Sequence, residues 1–214
     1  FNSGTISNSG GAASVVLNTA LTTTFNGTTF NANLSGSTGR LFFNGSTFNG
    51  TVNVSKTDGN NDASTGNNIF NTTTTITNLG AGYVLLGNGN RDQFNGVTTF
   101  NNNGSDRFYF AHNHPGQTTT FASNLTISTN KSGGTDAWSY LIAEGSNTNV
   151  SFGGNVTINC SGTLQSNHRI LQGSGSTSIY SGTLTVNLTN TNSSTSINLG
   201  TNGTSTYNGN IIVS

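Results

Sequence analysis

Charge is nearly missing from this 214-residue chain: charged side chains make up 6%, six basic against six acidic, for a formal net charge of zero. Nucleic acid binding draws on clustered Lys and Arg that displace counterions. Arg40, Lys56, Arg91, Arg107, Lys131 and Arg169 are instead scattered along the sequence, and no nucleic acid partner is expected. Long hydrophobic runs are also missing. Nothing approaches the roughly 20 apolar residues of a membrane helix, and there is no basic amphipathic helix, so no membrane insertion is expected. Helix formers never combine with a 3.6-residue apolar period over more than two turns. A single cysteine, Cys160, excludes an internal disulfide and reads as a small buried apolar residue. Hydrophobic residues amount to only 30%, which would mean disorder if they were scattered.

They recur instead at a period. An aromatic residue opens a turn-forming tripeptide at Phe1, Phe25, Phe48, Phe70, Phe94, Phe121, Phe152, Tyr180 and Tyr207, with steps of 24, 23, 22, 24, 27, 31, 28 and 27 residues. Self-similarity at this period is the signature of a solenoid, in which each repeat buries its apolar face only against its neighbours. Five copies continue alike: Phe48 to Val54, Phe121 to Ile127, Phe152 to Ile158, Tyr180 to Val186 and Tyr207 to Val213. Asn-Gly or Ser-Gly follows in most of them and predicts a corner that tolerates positive φ. Apolar residues then fall four and six positions after the aromatic, on one face of a strand. A second apolar strand is expected at Leu41 to Phe43, Val84 to Leu86, Phe108 to Phe110, Tyr140 to Ile142, Ile170 to Leu171 and Ile197 to Leu199.

The predicted fold is therefore all-β: one parallel β-helix over residues 1–214, with about three short strands per turn and about eight turns. At about 4.8 Å per stacked strand it makes a rod roughly 40 Å long. The aromatics are predicted to form an internal stack, which offset ring packing permits at that pitch. Both ends of the sequence cut a repeat, which leads us to expect an internal segment of a longer repetitive chain, and makes the lack of a signal peptide uninformative.

Candidate chemistry is sparse. His112 and His114 stand two residues apart and would share a face on a strand, where they could bind a transition metal. The Pro115-Gly116 that follows favours a hydrated loop instead. Asp58 to Asp62 resembles the start of an oxygen-rich calcium loop, but Ala63 stands where Gly is expected and no Glu closes it. Catalytic residues and a required cofactor are not expected. A β-helix lyase or hydrolase would need clustered carboxylates, and only Asp58, Asp62, Asp92, Asp106, Asp136 and Glu144 are available. The pairs Arg91-Asp92 and Asp106-Arg107 read as surface ion pairs or turn contacts.

The unit Phe-Asn-Gly-x-Val/Thr-x-Phe/Val, at Phe48 to Val54 and Phe94 to Phe100, resembles the low-charge, Asn/Thr/Gly-rich repeats of giant secreted surface proteins, notably those of gliding bacteria in the Bacteroidota. It is also similar in architecture to filamentous-haemagglutinin-type adhesins. The resemblance implies export to the cell surface and a role as an adhesin shaft or filament subunit. Its partners would be neighbouring copies, further repeats of the same chain, or a surface glycan. Two alternatives stay open: a polysaccharide-binding or polysaccharide-cleaving β-helix, and an ice-binding solenoid. The last requires a flat, regular Thr ladder. The outward position before each aromatic reads Thr24, Thr47, Ile69, Gln93, Thr120, Ser151, Ile179 and Thr206, which is β-branched but irregular.

Overall fold

The structure, a computed structural model, describes residues 1–7, 14–130, 138–145, 147–161, 169–172, 175–189, 196–199 and 203–214; Lys131 and Asp136 lie outside them. Every regular element among these residues is a strand, and every pairing is parallel. After the short β1 (Asn2–Ile6), β2 (Ser14–Phe30) and β3 (Asn33–Asn44) run through the first turns as long ribbons. The chain then settles into three short strands per turn. They are β4 (Thr47–Phe48), β5 (Val52–Lys56) and β6 (Asp62–Ala63); β7 (Ile69–Phe70), β8 (Thr74–Asn78) and β9 (Val84–Leu85); β10 (Gln93–Phe94), β11 (Thr98–Asn102) and β12 (Phe108–Phe110). The series continues with β13 (Thr118–Phe121), β14 (Leu125–Thr129) and β15 (Trp138–Ile142); β16 (Asn149–Phe152), β17 (Val156–Cys160) and β18 (Arg169–Gln172); β19 (Thr177–Tyr180), β20 (Leu184–Leu188) and β21 (Ser196–Asn198); then β22 (Thr204–Tyr207) and β23 (Ile211–Val213). This is the parallel β-helix that the repeat predicts.

The aromatic column differs from the sequence expectation at its start. Backbone register aligns Ile6 with Phe30 and Phe30 with Phe48, so Phe30, not Phe25, is the rung below Phe48. Phe1, Phe25 and Phe43 form a separate stack beside it, with centroids 5.2 and 5.4 Å apart. Phe25 touches Phe48 only edge to face. The reason is length: the turn from Phe30 to Phe48 spans 18 residues, too few for the corner insertions of later turns, so a second ring enters the core on the same ribbon. From Phe48 the column runs as predicted through Phe70, Phe94, Phe121, Phe152, Tyr180 and Tyr207, stacked at 4.6 to 5.4 Å. Ile6 to Tyr207 makes eight turns.

Alternation fills the rest of the core. In β8, β11, β14 and β17 every second residue points inward, as a strand with one buried face requires. Each inward Ile, Val or Leu contributes about 1.5–3 kcal/mol by leaving water. The corner glycines act differently from the sequence expectation. Gly50 and Gly96 do not adopt positive φ. An added Cβ would lie 2.2 Å from the carbonyl oxygen of Ala32 or Thr72, one turn below, so close approach of stacked backbone demands glycine there.

Two polar columns run inside this apolar core. Two residues before the column rings stand Thr28, Ser46, Asn68, Asp92 and Thr119, all buried. Each side-chain oxygen from Ser46 onward accepts the backbone N–H of the equivalent residue one turn earlier, at 3.1, 2.9, 2.9 and 3.1 Å. Side chains thus satisfy donors that the corner keeps out of the strand ladder, where an unpaired buried N–H would be costly. The second column begins at Thr38 within β3 and continues through the residues that end β5, β8, β11, β14 and β17, namely Lys56, Asn78, Asn102, Thr129 and Cys160, all in register. Asn102 donates to the carbonyls of Asp106 and Ser139 at 2.8 and 2.9 Å, pinning the loop that returns to the next strand.

Candidate functional site

None of the candidate metal ligands stands in an open cluster. Lys56 is fully buried, and its ammonium donates to the carbonyl and carboxylate of Asp58 at 2.6 and 3.0 Å. Burial raises the Asp58 pKa, but hydrogen bonds from Asn60 and Lys56 outweigh it and leave the carboxyl below its ordinary value. Asp62 points elsewhere. It is buried, and accepts from the Arg40 guanidinium at 2.8 Å and the Leu41 N–H at 2.7 Å. Burial holds its pKa up against those partners. The two ends of the would-be calcium loop therefore serve different contacts, a lysine cap and a bridge to the preceding turn.

The two histidines do not share a strand face, because Ala111 to Gly116 forms a turn with positive φ at Ala111 and Asn113. His112 points outward, 3.3 Å from the Glu144 carboxylate and edge-on to the Tyr109 ring. His114 points inward and is buried, its Nε2 3.0 Å from Thr119 Oγ1 and its Nδ1 without a hydrogen-bond partner. Burial lowers its pKa. Among the described residues no three His, Cys, Asp or Glu side chains gather where a metal could be held.

The expected surface pairs divide. Asp106 lies 3.9 Å from the Arg107 guanidinium, as a turn contact should. Asp92 does not pair with Arg91. It is a member of the buried polar column, and burial pushes its carboxyl up to about 7 against the hydrogen bonds from Asn68. Alternation decided this: Phe94 faces inward, so Asp92, two residues earlier, must too. Cys160 is buried as expected, and burial pushes its thiol up to about 11.

The most regular surface is one that the sequence reading passed over. Five and seven residues after the column rings, the long strands present two outward files. The first contains Thr75, Thr99, Thr126, Thr157 and Thr185, in register on adjacent strands. The second contains Thr77, Asn101, Ser128, Asn159 and Asn187. Three of the four steps in the second file are hydrogen-bonded, Asn101 to Thr77 at 3.3 Å, Asn159 to Ser128 at 3.4 Å and Asn187 to Asn159 at 2.8 Å. Another amide file runs down the corner, where Asn49, Asn71 and Asn95 donate to Asn31, Asn49 and Asn71 at 2.6 to 2.7 Å. The signal was present as Thr-x-Thr, Thr-x-Asn or Thr-x-Ser around an inward apolar residue, Ile76, Phe100, Ile127, Ile158 or Val186, hidden by how common Thr and Asn are throughout.

The chain matches no protein family, no curated protein and no solved structure, so this geometry stands alone in what it can support.

Proposed function

We propose that the chain is a structural and adhesive rod, a segment of a secreted cell-surface fibre that supports surface attachment or filament assembly. The observation that carries this reading is the continuity of the columns. From Ile6 to Tyr207 every turn stacks on the last through backbone, ring and side-chain files. Such a body resists bending and presents long faces of stacked strands. The acidic side chains Asp58, Asp62, Asp106 and Glu144 are each held by a basic side chain, which favours this role over polysaccharide cleavage. The low surface charge lets neighbouring copies approach with little repulsion, and the likeness to giant adhesin repeats supports an extracellular location. Imaging the native particle tests the reading. Extended fibres of solenoid width are expected; compact particles that cleave polysaccharide, with cleavage lost in Asp106→Asn, would overturn it.

A further inference from the structure

We infer that the Thr/Asn face of β8, β11, β14, β17 and β20 binds the surface of crystalline ice. The inference goes beyond the rod reading and does not depend on it.

Three features of the face select the ligand. The first is the lattice. Successive strands are about 4.8 Å apart and the two files about 6.7 Å apart, and oxygen repeats on the prism planes of hexagonal ice fall close to both spacings. The second is flatness. Parallel strands ordinarily rotate by about 20–25° from one to the next, yet the column rings of the first three turns that carry this face, Phe70, Phe94 and Phe121, differ in plane by only 1° and 3°, while Phe121, Phe152 and Tyr180 differ by 20° and 27°. The face is therefore most level over β8, β11 and β14. The third is unspent bonding capacity. The hydroxyls of the first file make no side-chain hydrogen bond to the protein, whereas the second file is linked internally. A β-branched Thr in a strand is stiff about χ1, so these hydroxyls and methyls hold fixed positions to which water can order.

Charge and area argue against other occupants. No charged side chain occurs in either file among these five strands, which fits an uncharged ligand and gives an ionic one nothing to pair with. Protein interfaces concentrate Tyr, Trp, Met and Arg, none of which occurs here. The five-strand array covers about 300 Å², well short of the roughly 800 Å² per partner of a standard protein interface. The outward position before the column ring, Thr47, Ile69, Gln93, Thr120, Ser151 and Ile179, lacks this regularity and serves as an internal control.

The test is uptake into growing ice. A polycrystalline hemisphere is frozen slowly from a solution of the 214-residue chain labelled at its N-terminus, beside a bystander protein that ice rejects. The wild type should enter the ice. Thr126→Tyr, at the centre of the first file, should fall to the bystander level, while Ser151→Tyr on the neighbouring face should enter as wild type does. If Thr126→Tyr does not fold, the double variant Thr126→Ser, Thr157→Ser removes two methyls without adding bulk and should enter less than wild type. Rejection of the wild type overturns the proposal, as does equal uptake of the two Tyr variants. So does face-dependent pelleting with cellulose or chitin, or face-dependent self-association, in the absence of ice uptake.

Discussion

Asn68 donates both its backbone N–H and its side-chain amide to one carboxylate oxygen of Asp92, each at 2.9 Å. Neither residue sees solvent. A carboxylate stands there where the column has Asn68 one turn earlier and Ser46 two turns earlier, so its charge is an addition to a column that works without one.

Asp92 should therefore make stability fall as pH rises. Burial raises the folded pKa from 3.8 to about 7, so between these values the folded state holds a proton that the unfolded state has released. The stabilisation is full below the unfolded pKa, declines toward pH 7 and is lost above it. Asp92→Asn keeps the two accepted hydrogen bonds and removes the charge. It should be more stable than wild type at pH 8, by about 1–4 kcal/mol, and lack the slope that the wild type shows between 3.8 and about 7. Urea denaturation at several pH values checks this; parallel slopes in the two proteins would refute the buried assignment.

Two tyrosines in the core should respond oppositely to loss of the hydroxyl. Tyr140 Oη lies 2.9 Å from the carbonyl oxygen of Phe100 and 2.6 Å from that of Ser128, whereas Tyr180 Oη is buried with no hydrogen-bond partner. Tyr140→Phe should cost about 1–2 kcal/mol, and Tyr180→Phe should be neutral or stabilising by about 1 kcal/mol. Melting temperatures of both variants decide it, and a destabilised Tyr180→Phe would contradict the unsatisfied hydroxyl.

Phe94 sits between Phe70 and Phe121 at 4.8 and 4.7 Å and is 1% exposed. Phe94→Ala should cost about 3–5 kcal/mol. Phe1→Ala, whose ring is 47% exposed at the end of the shorter stack, should cost clearly less. Chemical denaturation of the pair would show whether the long column carries the stability; equal losses would mean that it does not.

The period of the aromatics, the inward alternation after them and the poverty of charge determine the solenoid, because each is a local pattern that recurs every turn and has one way of burying its apolar side. Even the apolar strands at Val84, Phe108 and Tyr140 could be placed without coordinates. Tertiary structure decided which residue is stacked on which. The assignment of Phe25 to the main column failed because spacing alone cannot distinguish Phe25 from Phe30 when one turn shortens to 18 residues and two rings enter the core. The polar columns were illegible for a related reason. A buried Asp92 or Lys56 looks in sequence like any surface charge until the neighbouring turn supplies its partner. The flat Thr file has the same origin: Thr75, Thr99, Thr126, Thr157 and Thr185 are between 24 and 31 residues apart, and only the register between turns makes them adjacent.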